Sequence, residues 1–318
     1  MSKGLVTVFG GSGFVGKHVV RALVKDGWRV RVPCRRPHTA QDLKVIGNVG
    51  QIQLMQANIR FEDSVRRAVE GSDAVINLVS ILFEAGKQKF DSVHLEGAKY
   101  LADACAEAGI TNMVQVSAIG ADSSSDSEYA RTKGEAEELI KAAVPSADIV
   151  RPSIIFGSED KFFNRFAHMA TLAPALPLIG GATQFQPVYA GDVAEAIAKL
   201  VGKGTQGEVY ELGGPRRYSF KELLQFILDT TDRKRFLVPV PWAGATALGM
   251  MGEIAGALPF VKPFLTRDQV TNLKKDNVVA EDAKGFSDLG IDLETIESIV
   301  PGYLARYRKY GQFHEKTS

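Results

Sequence analysis

Leu5-Val6-Thr7-Val8-Phe9-Gly10-Gly11-Ser12-Gly13-Phe14-Val15-Gly16 opens the chain and decides how the rest is read. A β-branched apolar run, a glycine cluster and an amphipathic segment spell a strand, a tight turn and a helix. Gly10, Gly13 and Gly16 recur every third residue. In such a turn one glycine permits the sharp reversal, another lets a diphosphate approach the amides, and a third allows close helix–strand packing. The helix start adds free N–H groups and a favourable dipole end. Glycine turns are common, so the trio gains meaning from its place directly behind a strand.

Outward from this motif, strand-like and helix-like runs alternate. Trp28–Val32, Ile52–Gln56, Ala74–Val79 and Met113–Ser117 read as the second to fifth strands, and Ile149–Val150 with Ile154–Phe156 as the sixth. Asp63–Glu70, Ser92–Ala108 and Ser127–Ala143 read as helices between them. Regular β-α alternation predicts a doubly wound parallel sheet, an α/β Rossmann architecture, with ligands at the carboxyl ends of its strands. The expected layout is a dinucleotide-binding domain over residues 1–156, joined again by 187–212. A smaller C-terminal substrate-side lobe takes residues 157–186 and 213–318. Asp192 is expected to N-cap a helix, and Ser219 with Glu222 to form a capping box.

Composition narrows the field. The 318 residues are 45% hydrophobic and 24% charged with net charge +1, so nothing points to a nucleic-acid partner. Cys34 and Cys105 make no disulfide framework, and the five histidines, His18, His94, His168 and His314 among them, show no metal-ligand spacing. The first strand begins too near Met1 to leave room for a signal or transit peptide. No segment reaches the roughly 20 apolar residues of a membrane span. A cytoplasmic protein, peripheral on the inner membrane at most, is the expectation. Trp242–Leu258 comes nearest to a span and reads as a core, interfacial or partner helix. The Arg306-Tyr307-Arg308-Lys309-Tyr310 run reads as a solvated last turn or a contact for anionic lipid.

In an NAD site a carboxylate at the end of the second strand usually holds the ribose hydroxyls. This strand ends Pro33-Cys34-Arg35-Arg36-Pro37. Arg35 and Arg36 are suited to the 2′-phosphate of NADP(H), which is favoured, with NAD(H) possible, although a solvated basic loop has the same composition. Strand-end position likewise assigns Asn58, Ile59, Leu78, Val79 and Ser80 to the cofactor, beside the turn residues Ser12, Phe14 and Val15; Pro152, in the Arg151-Pro152-Ser153 step, is assigned to it as well. Plain loop roles fit Asn58 and Leu78–Ser80 equally well.

Tyr129-Ala130-Arg131-Thr132-Lys133 puts a phenol and an ammonium on one helix face. Ser117 ends the fifth strand twelve residues earlier. Together they suit carbonyl–alcohol chemistry, with Tyr129 moving the proton, Lys133 favouring phenolate and holding ribose, and Ser117 polarising the carbonyl. A solvated helix pair is the plainer account of the Tyr–Lys spacing.

With these motifs, Arg151-Pro152-Ser153, Asp192-Val193-Ala194 and Tyr210-Glu211-Leu212-Gly213-Gly214-Pro215, the chain resembles the extended short-chain dehydrogenase/reductases over nearly its whole length. Phe156–Phe166, Gln186–Tyr189 and Leu265–Val270 resemble an atypical branch, the nucleotide-binding accessory subunits of respiratory complex I and their bacterial relatives. That resemblance implies bound NADPH as a structural ligand and a respiratory-complex or quinone-linked role. It also departs from the active pattern: His94 stands where such enzymes carry a relay Asn, and Asn58 where an Asp meets adenine. The alternative is a working reductase, dehydrogenase or sugar-nucleotide epimerase using Tyr129, Lys133 and Ser117. Its substrate would be a small hydrophobic molecule or a sugar nucleotide.

Overall fold

The computed structural model describes residues 3–256 and 263–311. The chain divides into two compact units, Met1–Pro152 with Gly191–Leu212 and Ala280–Ile291, and Ser153–Ala190 with Gly213–Val279 and Asp292–Ser318. Residues 280–291, assigned to the C-terminal lobe on sequence, belong with the first unit, where the Glu211 N–H donates to the Lys284 carbonyl.

The first unit is built on seven parallel strands: β1 (Leu5–Phe9), β2 (Arg29–Cys34), β3 (Ile52–Gln56), β4 (Ala74–Asn77), β5 (Met113–Val116), β6 (Asp148–Pro152) and β7 (Val209–Leu212). Their spatial order is β7-β6-β5-β4-β1-β2-β3. The direction of winding therefore reverses between β1 and β4, where α/β sheets open a crevice for ligands. Val6, Val8, Val30, Val32, Val75 and Ile76 are fully buried, as strands covered on both faces require.

Four helices matter to this crevice: α1 (Phe14–Lys25), α2 (Glu62–Val69), α3 (Glu96–Glu107) and α4 (Glu128–Ala143). α1 starts where it does because Gly16 is a glycine. A Cβ there would stand 2.2 Å from the Gly10 carbonyl oxygen and 2.6 Å from the Gly11 backbone. Gly10 itself turns with φ +80°, a region costly for residues with side chains. Just ahead of α3, Asp91–Leu95 forms one π-helical turn.

Several boundaries differ from the sequence reading. The sixth strand ends at Pro152, and Ile155–Phe156 instead pairs in parallel with Val188–Tyr189 inside the second unit. The Arg151-Pro152-Ser153 step breaks the apolar run that periodicity had joined. Asp192 is no N-cap, since its helix begins at Ala190 and the carboxylate lies in the first turn. Ser219 and Glu222 do form the capping box.

In the second unit the core gathers Phe156, Phe163, Leu223, Ile227, Val300 and Leu304. The basic Arg306–Tyr310 run is solvated in part, with Arg306, Lys309 and Tyr310 exposed, and tied down in part: Arg306 and Tyr307 donate to the Asn164 side chain, and Arg308 to the Thr230 carbonyl at 3.0 Å. Of helix Trp242–Gly256 only Ala245 and Gly249 are buried, while Met251 and Ile254 are 66% and 69% exposed. Plain core packing is thus not its setting among the described residues. Residues 257 and 258 of the Trp242–Leu258 segment, and His314, lie outside the described residues.

The turn and a distant helix end give opposed outcomes for one substitution. Gly16→Ala should lower the denaturant midpoint by about 1–3 kcal/mol of stability, because its methyl meets backbone that cannot step aside. Gly202→Ala, a helical position with no atom within 4 Å of the added Cβ, should be neutral or raise stability by up to about 1 kcal/mol. Equal effects at both positions would contradict the packing argument.

Candidate functional site

The crevice begins at the β1–α1 turn. The Gly13 N–H donates to the Gly10 carbonyl at 2.9 Å, which closes the turn. The turn rests on the end of β4, since a Cβ on Gly10 would meet Leu78 backbone at 3.0 Å. The first amides of α1 are left without helical partners at this edge, a setting suited to anionic oxygens. Phe14 packs its ring edge-on against His18.

A cavity of about 1120 Å³ opens beside this turn, walled by Ser12, Arg35, Arg36, Asn58, Phe61 and Arg67, with Cys34 also on its wall. Arg36 and Arg67 make no side-chain hydrogen bond or ion pair among the described residues. Arg35 is engaged, donating to Gln88 Oε1 at 2.9 Å. Arg60 donates to the Lys87 carbonyl at 2.6 Å, so both arginines hold the loop after β4. Asn58 is shaped by its own loop: its Oδ1 accepts from the Arg60 N–H, and its N–H donates to Ser64 Oγ. Ile59 is in the core, in contact range of α3 at Gly97, which leaves only its backbone to meet a ligand. Arg67 escaped the sequence reading because α2 is continuous with a solvated Asp/Glu/Arg face, and nothing local marks one arginine of that face as lining a cavity.

The second cluster lies where β4, β5 and α4 end or begin. Ser127 caps α4, its Oγ accepting from the Ala130 N–H at 3.2 Å. Two contacts then fix the helix. A Cβ on Gly134 would lie 2.3 Å from the Ser123 amide, and buried Glu137 takes a forked ion pair from Arg151 of β6 at 2.6 and 3.0 Å. That carboxylate raises the Arg151 pKa.

On this anchored helix Lys133 is buried, and its Nζ donates to the Val116 carbonyl at 3.1 Å. Two of its three N–H donors have no protein acceptor among the described residues. Burial pulls its pKa down to about 8, against the opposing pull of Glu137. Ser117, just past β5, has its N–H on the Val150 carbonyl, and its buried Oγ has no hydrogen-bond partner among the described residues. Buried polar atoms are nearly always paired in the folded state, and this hydroxyl and the spare ammonium donors are left able to bond a polar ligand. Pro152 accepts from the Ile119 N–H and keeps the loop after Ser117 at the sheet edge. Tyr129, one turn before Lys133, packs edge-on against His94 (5.6 Å between centroids) and Phe90 (6.0 Å).

His94 is 3% exposed. Its Nε2 accepts from the Ile81 N–H at 3.0 Å and lies 3.2 Å from Ser80 Oγ, and its Nδ1 is 3.1 Å from Thr132 Oγ1. Burial first, then the Lys133 cation, lowers its pKa from 6.5 to about 2. The ring is therefore neutral at any working pH. Asp91, its sequence neighbour, faces Arg131 at 3.8 Å instead. Leu78 and Val79 bond back to the sheet, through the Phe9 carbonyl and the Asn77 side chain. Among the described residues no group of three His, Cys, Asp or Glu side chains is placed to hold a metal, and no helix is long and apolar enough to cross a membrane.

The buried imidazole makes stability depend on pH. Below 6.5 the unfolded chain takes up a proton at residue 94 that the native state refuses, so stability falls as pH falls. Between about pH 6.5 and 5 this amounts to about 2 kcal/mol. Urea melts across that range should show the slope in the native protein and lose this part of it in His94→Gln; an unchanged slope would refute a neutral buried His94.

The model of the NAD dependent epimerase/dehydratase family matches residues 6–213. The mitochondrial NADH dehydrogenase [ubiquinone] 1 alpha subcomplex subunit 9 of Arabidopsis thaliana is 35% identical over 317 residues, 96% of this chain and 79% of that protein. A ceramide reductase of Caulobacter vibrioides is 28% identical over 259 residues, 81% of this chain and 80% of its own. Among solved structures, the protein titled gox2253 superposes with a TM-score of 0.73 at 21% identity, covering 98% of this chain and 100% of that one, a likeness of fold. The glycine turn, the seven-stranded sheet and the matched span agree: the chain belongs to the NAD dependent epimerase/dehydratase family, the extended short-chain dehydrogenase/reductases.

Proposed function

We propose that this protein binds NADP(H) along the β1–α1 edge and serves, with that nucleotide as a held ligand, in association with respiratory complex I or quinone metabolism. The observation that carries the nucleotide assignment is the cavity beside the glycine turn, where Arg36 and Arg67 share a wall with Ser12 and Asn58. Guanidinium forks match phosphate oxygens, and no carboxylate is paired with either arginine among the described residues. Arg35 supports the same wall indirectly through Gln88. Gly10, Gly13, Gly16, Phe14 and Val15 present the amides to the diphosphate. Leu78, Val79 and Ser80 border the next stretch, and Ser117, Lys133 and Pro152 the nicotinamide end. The family model's NAD dependence and the complex I subunit relative support this reading.

A second reading is favoured by the orphaned Ser117 hydroxyl and the spare donors of Lys133. In it the protein is an active reductase or dehydrogenase, and a bound NADPH supplies hydride. Ser117 would orient a carbonyl oxygen, Tyr129 would give it a proton, and Lys133 would stabilise the phenolate left behind. The ceramide reductase relative fits this reading and a carbonyl substrate with an apolar body.

Two measurements test these readings. Arg36→Ala should weaken NADPH binding roughly 10–100-fold and NADH binding hardly at all, since a charged hydrogen bond contributes about 1.5–3 kcal/mol. Equal losses for both nucleotides would defeat the NADP(H) assignment. Purified protein carrying nucleotide that stays reduced when carbonyl or quinone compounds are added supports the held-ligand role, whereas turnover abolished in Tyr129→Phe establishes the enzyme.

A further inference from the structure

We infer that His94 is a positioning residue of the nicotinamide end, a neutral two-sided clamp that fixes the Tyr129–Lys133 face of α4 against the Ser80–Ile81 backbone and does not shuttle protons. This rests on the nicotinamide reading above.

The hydrogen-bond chemistry leaves one arrangement. The Ile81 N–H can only donate, so Nε2 must present its lone pair. Ser80 Oγ lies on the same nitrogen and serves as a second donor to it. The one proton of the neutral ring is then on Nδ1, where it donates to Thr132 Oγ1. The Thr132 hydroxyl passes its own proton to the Glu128 carbonyl at 2.8 Å. Both ring nitrogens are committed, Nε2 to the Ile81 N–H and the Ser80 hydroxyl, and Nδ1 to a Thr132 hydroxyl that is itself bound to backbone. Taking up a proton at Nε2 would turn it against the Ile81 N–H, which can only donate, so a relay through this ring would cost that bond.

Placement gives the clamp its purpose. Thr132 sits between Tyr129 and Lys133 on α4, and the same ring packs edge-on against Tyr129. On its other side His94 holds the backbone immediately beyond Val79. The π turn Asp91–Leu95 carries His94; such turns are costly and recur at functional positions. Among the described residues no wall residue of the Ser12–Arg36–Asn58–Arg67 cavity is a hydrogen-bond partner of His94, so the clamp should act on one end of the nucleotide only.

The test is calorimetric titration of NADPH and of 2′,5′-ADP, which carries the adenosine end alone, into the full-length native protein, His94→Phe and His94→Asn. Loss of about 1.4 kcal/mol is tenfold in affinity, so His94→Phe should weaken NADPH about tenfold or more. The 2′,5′-ADP affinity should stay within about twofold, as for a site with no shared partner. His94→Asn keeps a donor near Thr132 and should recover part of the NADPH affinity. Equal loss for both ligands, or no loss for NADPH, overturns the inference. If the native protein binds neither ligand, the cofactor reading itself falls and the clamp with it. Long-range ¹H–¹⁵N NMR of the native protein provides a check that does not depend on variant folding. The His94 proton must appear on Nδ1, and finding it on Nε2, or on both nitrogens at neutral pH, refutes the clamp.

Discussion

The first unit depends on one close approach, backbone against backbone, between Gly10–Gly11 and Gly16. Any side chain at position 16 would push α1 away from the sheet. With it would go the amide row that faces the crevice, and the seat of the turn on Leu78. Because β1 lies next to β4 at the point where the winding reverses, this contact fixes the geometry of the whole ligand edge. Hydrophobic burial holds the sheet together but does not choose this arrangement. A constraint with no side chain in it does.

The chemistry end is held differently, by polar groups in the interior. Lys133, His94, Glu137 and Ser117 are all buried within a few turns of one another. Burying them is unfavourable unless partners are supplied. Glu137 has Arg151, His94 has three partners, and Lys133 has the Val116 carbonyl. The Ser117 hydroxyl has none among the described residues.

The two proposed roles share this geometry and differ in the chemistry after the nucleotide is bound. A held nucleotide needs the phosphate wall and the nicotinamide contacts, and nothing more. Turnover additionally needs Tyr129 to recover its proton. His94 could pass one only by giving up its bond from the Ile81 N–H, which holds the Nε2 lone pair. That is a physical reason why a fold with an intact Tyr–Lys pair can serve as a carrier of its cofactor.

Sequence alone determined the parallel α/β sheet, the glycine turn, the Tyr129–Lys133 helix and the strand ends where a nucleotide would meet the chain. These come from periodicity and spacing, which are local properties. It misjudged the join of Ile154–Phe156 to the sixth strand and the start of the helix at Ala190, and left open the surroundings of helix Trp242–Gly256. In each case apolar character alone does not say which neighbour will cover it. Only the tertiary structure decided that Arg67 shares a cavity with Arg36, that Arg35 spends a donor on Gln88, and that Ser117 lacks a partner. It alone showed His94 gripping residues 13 and 38 positions away. Those facts depend on which segments fold onto each other, and no stretch of chain carries that information by itself.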